Sequence, residues 1–181
     1  MEKEITVPLG VLVERRKIDH PWAEWSWKPV AVLSDPPAID PWLVLKSDRD
    51  VTQFHAATVD LNLHRTLVEA YRTNLAGDAP LVWVVLQEAD SDDEASDIWP
   101  YKVHSVTVSP YEAQDHLDGG DEIVESVAMP EAILTLLLAF VRAHPEEQVF
   151  KKRKRDRLDV EELKFGKLPI FAPGNRLGDQ D

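Results

Sequence analysis

The stretch Ile5-Thr6-Val7-Pro8-Leu9-Gly10-Val11-Leu12-Val13-Glu14 decides the fold class. Ile5, Val7, Leu9, Val11 and Val13 recur at every second position, a period that puts five apolar side chains on one face of a strand. Pro8 cannot donate to a ladder, so this strand is expected at a sheet edge, or with a bulge near Pro8 and Gly10. Downstream, Ile18 to Trp25 with its His20-Pro21 pair reads as a loop, and Trp25 to Leu33 as a second strand ended by Asp35-Pro36-Pro37. Trp42 to Lys46 makes a short third strand. After the polar turn Ser47-Asp48-Arg49-Asp50, the run Val51 to Leu63 alternates again through Val59, Leu61 and Leu63.

The period changes at Thr66. Leu67, Ala70, Tyr71, Asn74 and Leu75 fall at helical spacing, with Thr66 and Glu69 placed as a capping box and Gly77 as a stop. Leu81 to Leu86 is continuously apolar and short, as a strand covered on both faces would be. Tyr101 to Val108 is a further strand. Ser109-Pro110-Tyr111-Glu112 supplies an N-cap, a first-turn proline and a carboxylate for a short helix closed by Gly119-Gly120. Glu122 to Ala128 makes the last strand, and a helix runs from Pro130 to about Ala143, where His144-Pro145 stops it. The links are too irregular for a doubly wound sheet. The expectation is α+β: a mostly antiparallel, curled sheet of about six or seven strands with about three helices.

The 181 residues carry a net charge of −13, unevenly spread. Residues 149–181 hold nine Lys/Arg and six Asp/Glu, whereas the remainder holds eleven against twenty-seven. We therefore divide the chain into a single acidic domain, 1–148, and a basic, Pro/Gly-containing flexible arm, 149–181. An acidic body repels phosphate backbones, so nucleic acid is an unfavoured partner. The longest apolar run, Ile133 to Val141, is far short of the ~20 residues that a membrane span needs, and a cytoplasmic location is expected.

Chemistry is harder to find. No cysteine is present, which excludes thiol nucleophiles, thiolate metal sites and disulfides. His20, His55, His64, His104, His116 and His144 show neither i, i+4 spacing nor a metal-binding frame, so no metal or cofactor is expected. Asp115, Asp118, Asp121 and Glu122 crowd the turn around Gly119-Gly120; the missing calcium-loop pattern favours a solvated acidic turn over a cation site. Six of the ten residues from Glu88 to Asp97 are acidic, which reads as a solvated loop. No nucleophile elbow or triad spacing appears.

Two groups could instead meet a protein partner. Trp22, Trp25 and Trp27, flanked by Arg15 and Arg16, have the composition of an interface patch, against core packing as the ordinary alternative. The run Lys151, Lys152, Arg153, Lys154, Arg155 and Arg157 could grip an acidic partner or simply be solvated. A different reading takes Glu14, Tyr111 and Glu112, with Arg15 and Arg16, as polar groups meeting in a ligand cleft.

Several phrases in order carry a resemblance: Val7-Pro8-Leu9-Gly10-Val11, Pro21-Trp22, Trp27-Lys28-Pro29-Val30-Ala31-Val32-Leu33, Ser109-Pro110-Tyr111-Glu112-Ala113-Gln114-Asp115, and Val124-Glu125-Ser126-Val127-Ala128-Met129-Pro130-Glu131. Over roughly Val7 to Lys154 the chain resembles the proteobacterial domain-of-unknown-function family 3305. The resemblance implies no catalytic residues. It implies a neighbourhood, that of molybdenum-dependent formate dehydrogenase components. The resulting expectation is a non-catalytic accessory protein that binds a formate dehydrogenase subunit or maturation factor and assists its assembly. The alternative is a small enzyme or ligand-binding domain acting on a molybdenum-cofactor precursor. A guanylyltransferase role is not supported, because the expected glycine-rich loop after the first strand is reduced to a lone Gly10.

Overall fold

The computed structural model describes residues 3–90, 92 and 96–145. They form seven strands and three helices: β1 (Glu4–His20), β2 (Ala23–Ser34), β3 (Leu43–Ser47), β4 (Val51–His64), α1 (Val68–Leu75), β5 (Leu81–Glu88), β6 (Tyr101–Thr107), α2 (Pro110–Gly119), β7 (Ile123–Ala128) and α3 (Glu131–Ala143). The fold is α+β and every strand pairing is antiparallel. One expectation is corrected. In place of one curled sheet there are two, with strand orders β2-β1-β4-β3 and β6-β5-β7. The expected basic arm at 149–181 lies outside the described residues.

The alternation read in β1 does set its inner face: Leu9, Val11 and Val13 are fully buried. They share one core with Leu61 and Leu63 of β4 and Val82, Val84 and Leu86 of β5. α3 adds Ile133, Leu137 and Phe140, a single helical stripe at three-to-four spacing. The two sheets also meet along their margins, β4 beside β6 and β2 beside β7, where Lys28 Nζ lies 3.7 Å from a Glu125 oxygen.

β1 is longer and more central than its sequence suggests. It pairs with β2 on one side and β4 on the other. Ile18 to Trp25 is not a loop: only Pro21-Trp22 forms the turn of a hairpin whose arms are β1 and β2. Pro8 is tolerated in a central strand because the β1–β2 ladder ends at the Leu9–Ser34 pair, so among the described residues β2 asks no ladder hydrogen bond of Pro8. The bulges fall three to five residues past Pro8, between Val11 and Leu12 toward β4 and between Leu12 and Val13 toward β2. Gly10 has a different reason to be glycine: a Cβ there would stand 2.7 Å from His55 Nε2 and 2.9 Å from Pro36 Cβ.

The Thr66 capping box is likewise corrected. His64 takes the cap position, its Nδ1 accepting from the Thr66 N–H at 3.3 Å, and a 3-10 turn (Arg65–Leu67) leads into α1. On α1, buried Asn74 works as a clamp. Its amide donates to the carbonyls of Leu81 and Val108, both at 2.8 Å, and its carbonyl accepts from the Leu81 N–H at 3.0 Å. The α2 cap forms as its sequence dictates: Ser109 Oγ accepts from the Glu112 N–H, Pro110 opens the helix, and Gly120 ends it at φ +78°.

Candidate functional site

Two regions carry side chains that the core does not explain. The first is the far end of the four-stranded sheet. β3 closes that sheet as an edge strand, and all five of its residues are exposed. Regular alternation would turn every second side chain inward. Here Leu45 is the extra residue of a bulge between Val44 and Lys46, and Leu43, Val44 and Leu45 are 45%, 51% and 49% exposed. Apart from β3, Trp22 projects from the β1–β2 turn, 89% exposed.

The other sequence-nominated aromatics sit differently. Trp27 packs into a cluster with Trp42, Phe54, Trp99 and Tyr101 at ring separations of 5.7–6.4 Å. Trp42 and Trp99 stack face to face, 5.0 Å apart and 2° from parallel, with Trp42 held at φ +62°, a backbone region that bulky residues rarely enter. Trp25 is half-buried under the Arg15 guanidinium, 4.4 Å from its ring centre. Among the described residues, Arg15 Nε is buried without a hydrogen-bond partner, and the Trp25, Trp27 and Phe54 rings stand against the guanidinium in place of an acceptor. Arg16 instead turns to Glu14, at 2.8 Å. Of the three nominated tryptophans, Trp22 is therefore the open one, and Trp27 is tied into its own domain.

The cleft expected from Glu14, Tyr111 and Glu112 does not assemble. Glu14 faces Gln53 and Arg16, and the Gln53 amide, followed by Arg16 and Lys28, holds its carboxyl below the ordinary range. Tyr111 is exposed and shares a 3.2 Å hydrogen bond with Thr73. Glu112 accepts from Thr107 Oγ1 at 2.5 Å and lines a cleft with Asp60 and Asn62. Those two pair with Pro8 and Thr6, six or more residues from Glu14 along β1, or roughly 20 Å at the rise of a strand. The run Lys151, Lys152, Arg153, Lys154, Arg155 and Arg157 lies outside the described residues.

The Glu112 cleft and the one adjoining it are the second region, and between them stands a constellation that no spacing rule in the sequence exposes. His104 comes from β6, His116 from the last turns of α2, and Glu122 from the turn between α2 and β7. One potential ligand atom from each lies within 4.8 Å of the others. His116 Nδ1 is 2.5 Å from Glu122 Oε2, and Gln87 of β5 donates to Glu122 Oε1. That amide first, and then His116 and His104, hold the Glu122 carboxyl below its ordinary range. His116 and Asp115 line both this cleft and an adjoining one that contains Asp90, Asp121 and Glu122. Glu122 and the acidic turn are visible in the sequence, where they read as solvated; the two imidazoles are not linked to them by any local spacing, because a strand and a helix deliver them across twelve positions.

Residues 8–154 match a family described as a protein of unknown function, DUF3305. The chain belongs to that family. The match spans the ordered phrases from Pro8 to Glu131. No curated protein and no solved structure matches this DUF3305 chain. Among the described residues, no helix of this member is long and apolar enough to cross a membrane.

Proposed function

We propose that the chain is a non-catalytic accessory protein that docks a protein partner on the apolar side chains of β3. The observation that carries this reading is the run of three consecutive half-exposed apolar residues, Leu43, Val44 and Leu45, on a bulged edge strand. Edge strands usually carry charges or proline to discourage association, and here Lys46 is the only charge within β3. Trp22, 89% exposed on the β1–β2 turn, has the character of a separate interface anchor. The bulge disrupts the ladder on β3, so the occupant we favour is an apolar surface of the partner rather than an added strand. By its family resemblance, the partner is a subunit or maturation factor of a molybdenum-dependent formate dehydrogenase.

The test is affinity purification of the full chain from cells that also express the dehydrogenase, beside Val44→Lys and Trp22→Ser. We expect dehydrogenase components to be retained by the parent chain and lost with Val44→Lys, at unchanged thermal stability because the position is exposed. Equal recovery by parent and variant would remove β3 from the interface. A parent chain that forms a dimer broken by Val44→Lys and holds no dehydrogenase component would assign the face to a second copy instead.

A cofactor-precursor-binding role is the second reading. It draws on the polar cleft lined by Asp60, Asn62, Thr107 and Glu112.

A further inference from the structure

We propose that His104, His116 and Glu122 form a binding site for a divalent first-row transition ion of the zinc class. The proposal is independent of partner docking at β3. Two imidazoles, which are borderline ligands, beside one carboxylate suit such ions and not calcium or magnesium, which call for all-oxygen sets. The three groups come from three separate elements, with ligand atoms within 4.8 Å of one another. Tetrahedral bonds of about 2.0–2.1 Å need donors roughly 3.3 Å apart, so small side-chain rotations bring the set together.

A second observation concerns how His104 arrives there. The β5–β6 ladder pairs Val85 with Ser105 and Leu86 with Val103, leaving His104 as the extra residue of a bulge. Bulges re-aim side chains and are common beside functional sites. This one sets the His104 ring against His116, with centroids 5.6 Å apart. His116 stands in the last turns of α2, where the helix dipole favours positive charge. Gln87 donates to the Glu122 oxygen that does not face His116, the kind of outer partner that orients a ligating carboxylate. Asp90, Asp115 and Asp121 line the adjoining clefts and make the approach favourable to cations, with Lys102 already paired to Asp90 at 3.0 Å. Three protein ligands beside two open clefts leave room for water or a small anionic ligand at the ion, the arrangement of a site that exchanges ligands.

The untagged full-length chain, stripped with a chelator, is titrated with Co²⁺, whose visible absorption reports nitrogen and oxygen coordination, and is then challenged with Zn²⁺. We expect one equivalent to saturate the signal, Zn²⁺ to displace it, and His104→Ala, His116→Ala and Glu122→Gln each to weaken binding by about tenfold or more. His104 is exposed, so His104→Ala leaves the metal-free melting temperature unchanged and separates ligand loss from unfolding. His20→Ala, in a histidine outside the cluster, is expected to bind like the parent. Absence of a saturable one-equivalent signal, or equal losses in His20→Ala and His104→Ala, overturns the proposal.

Discussion

At Gly10, the smallest side chain is dictated by a neighbour 45 positions away. His55 is 1% exposed and rests where a Gly10 Cβ would go. Gly10→Ala is therefore expected to lower stability by about 1–3 kcal/mol in denaturant melts, as overpacking does. The added cost should shrink when His55 is first shortened to Ala, which a double-mutant cycle reads directly. His55 also makes stability depend on pH. Burial depresses its pKa below the ordinary 6.5, partly offset by a hydrogen bond to the Ala57 backbone. Unfolded chains then take up a proton that the folded ring resists. The contribution of His55 is complete above about pH 6.5 and is lost as pH falls toward the depressed folded value. Unfolding measured from pH 7.5 to 5 should show a shallower acid decline in His55→Asn than in the parent. Parallel curves would contradict this assignment.

At the scale of elements, Asn74 links α1 to the start of β5 and to Val108, just before α2. Asn74→Leu strands the Leu81 N–H and removes a donor from two carbonyls, so it should cost on the order of 3 kcal/mol. Ser109→Ala removes only the α2 cap and should cost about 1 kcal/mol in the same melts. The elements that were legible in the sequence are those whose signals are local. β1 shows its period of two, α2 has Ser109 before it, Pro110 at its start and Gly119-Gly120 at its end, and α3 has Pro130 before it and His144-Pro145 after it. The continuation of β1 through Glu14–His20 was hidden because no apolar alternation marks that stretch. Its far arm is held by pairing with β2 and by Arg15 lying on Trp25 and Trp27, neither of which follows a sequence period. The His64 cap was hidden because Thr66 and Glu69 satisfied a familiar pattern two residues later.

Across the molecule, long-range convergence is what the sequence conceals. Trp42 meets Trp99 across 57 positions, and His104 meets Glu122 only because a bulge turns one residue and the left-handed Gly120 turns the chain back. Residue patterning foretells an antiparallel α+β fold and composition its acidity, but the sequence does not show that β4 and β6, and β2 and β7, lie side by side without forming one continuous ladder. The fold places its two unexplained surfaces on different strands. Apolar β3 edges the four-stranded sheet, and the histidine cleft gathers around β6 and α2. The first carries the functional claim. Its most direct test is formate dehydrogenase isolated from cells with and without this chain, assayed for specific activity, molybdenum content and subunit association. The account predicts that all three fall without the chain and recover with the parent but not with Val44→Lys. Enzyme of unchanged activity, metal content and composition from cells lacking the chain would contradict it.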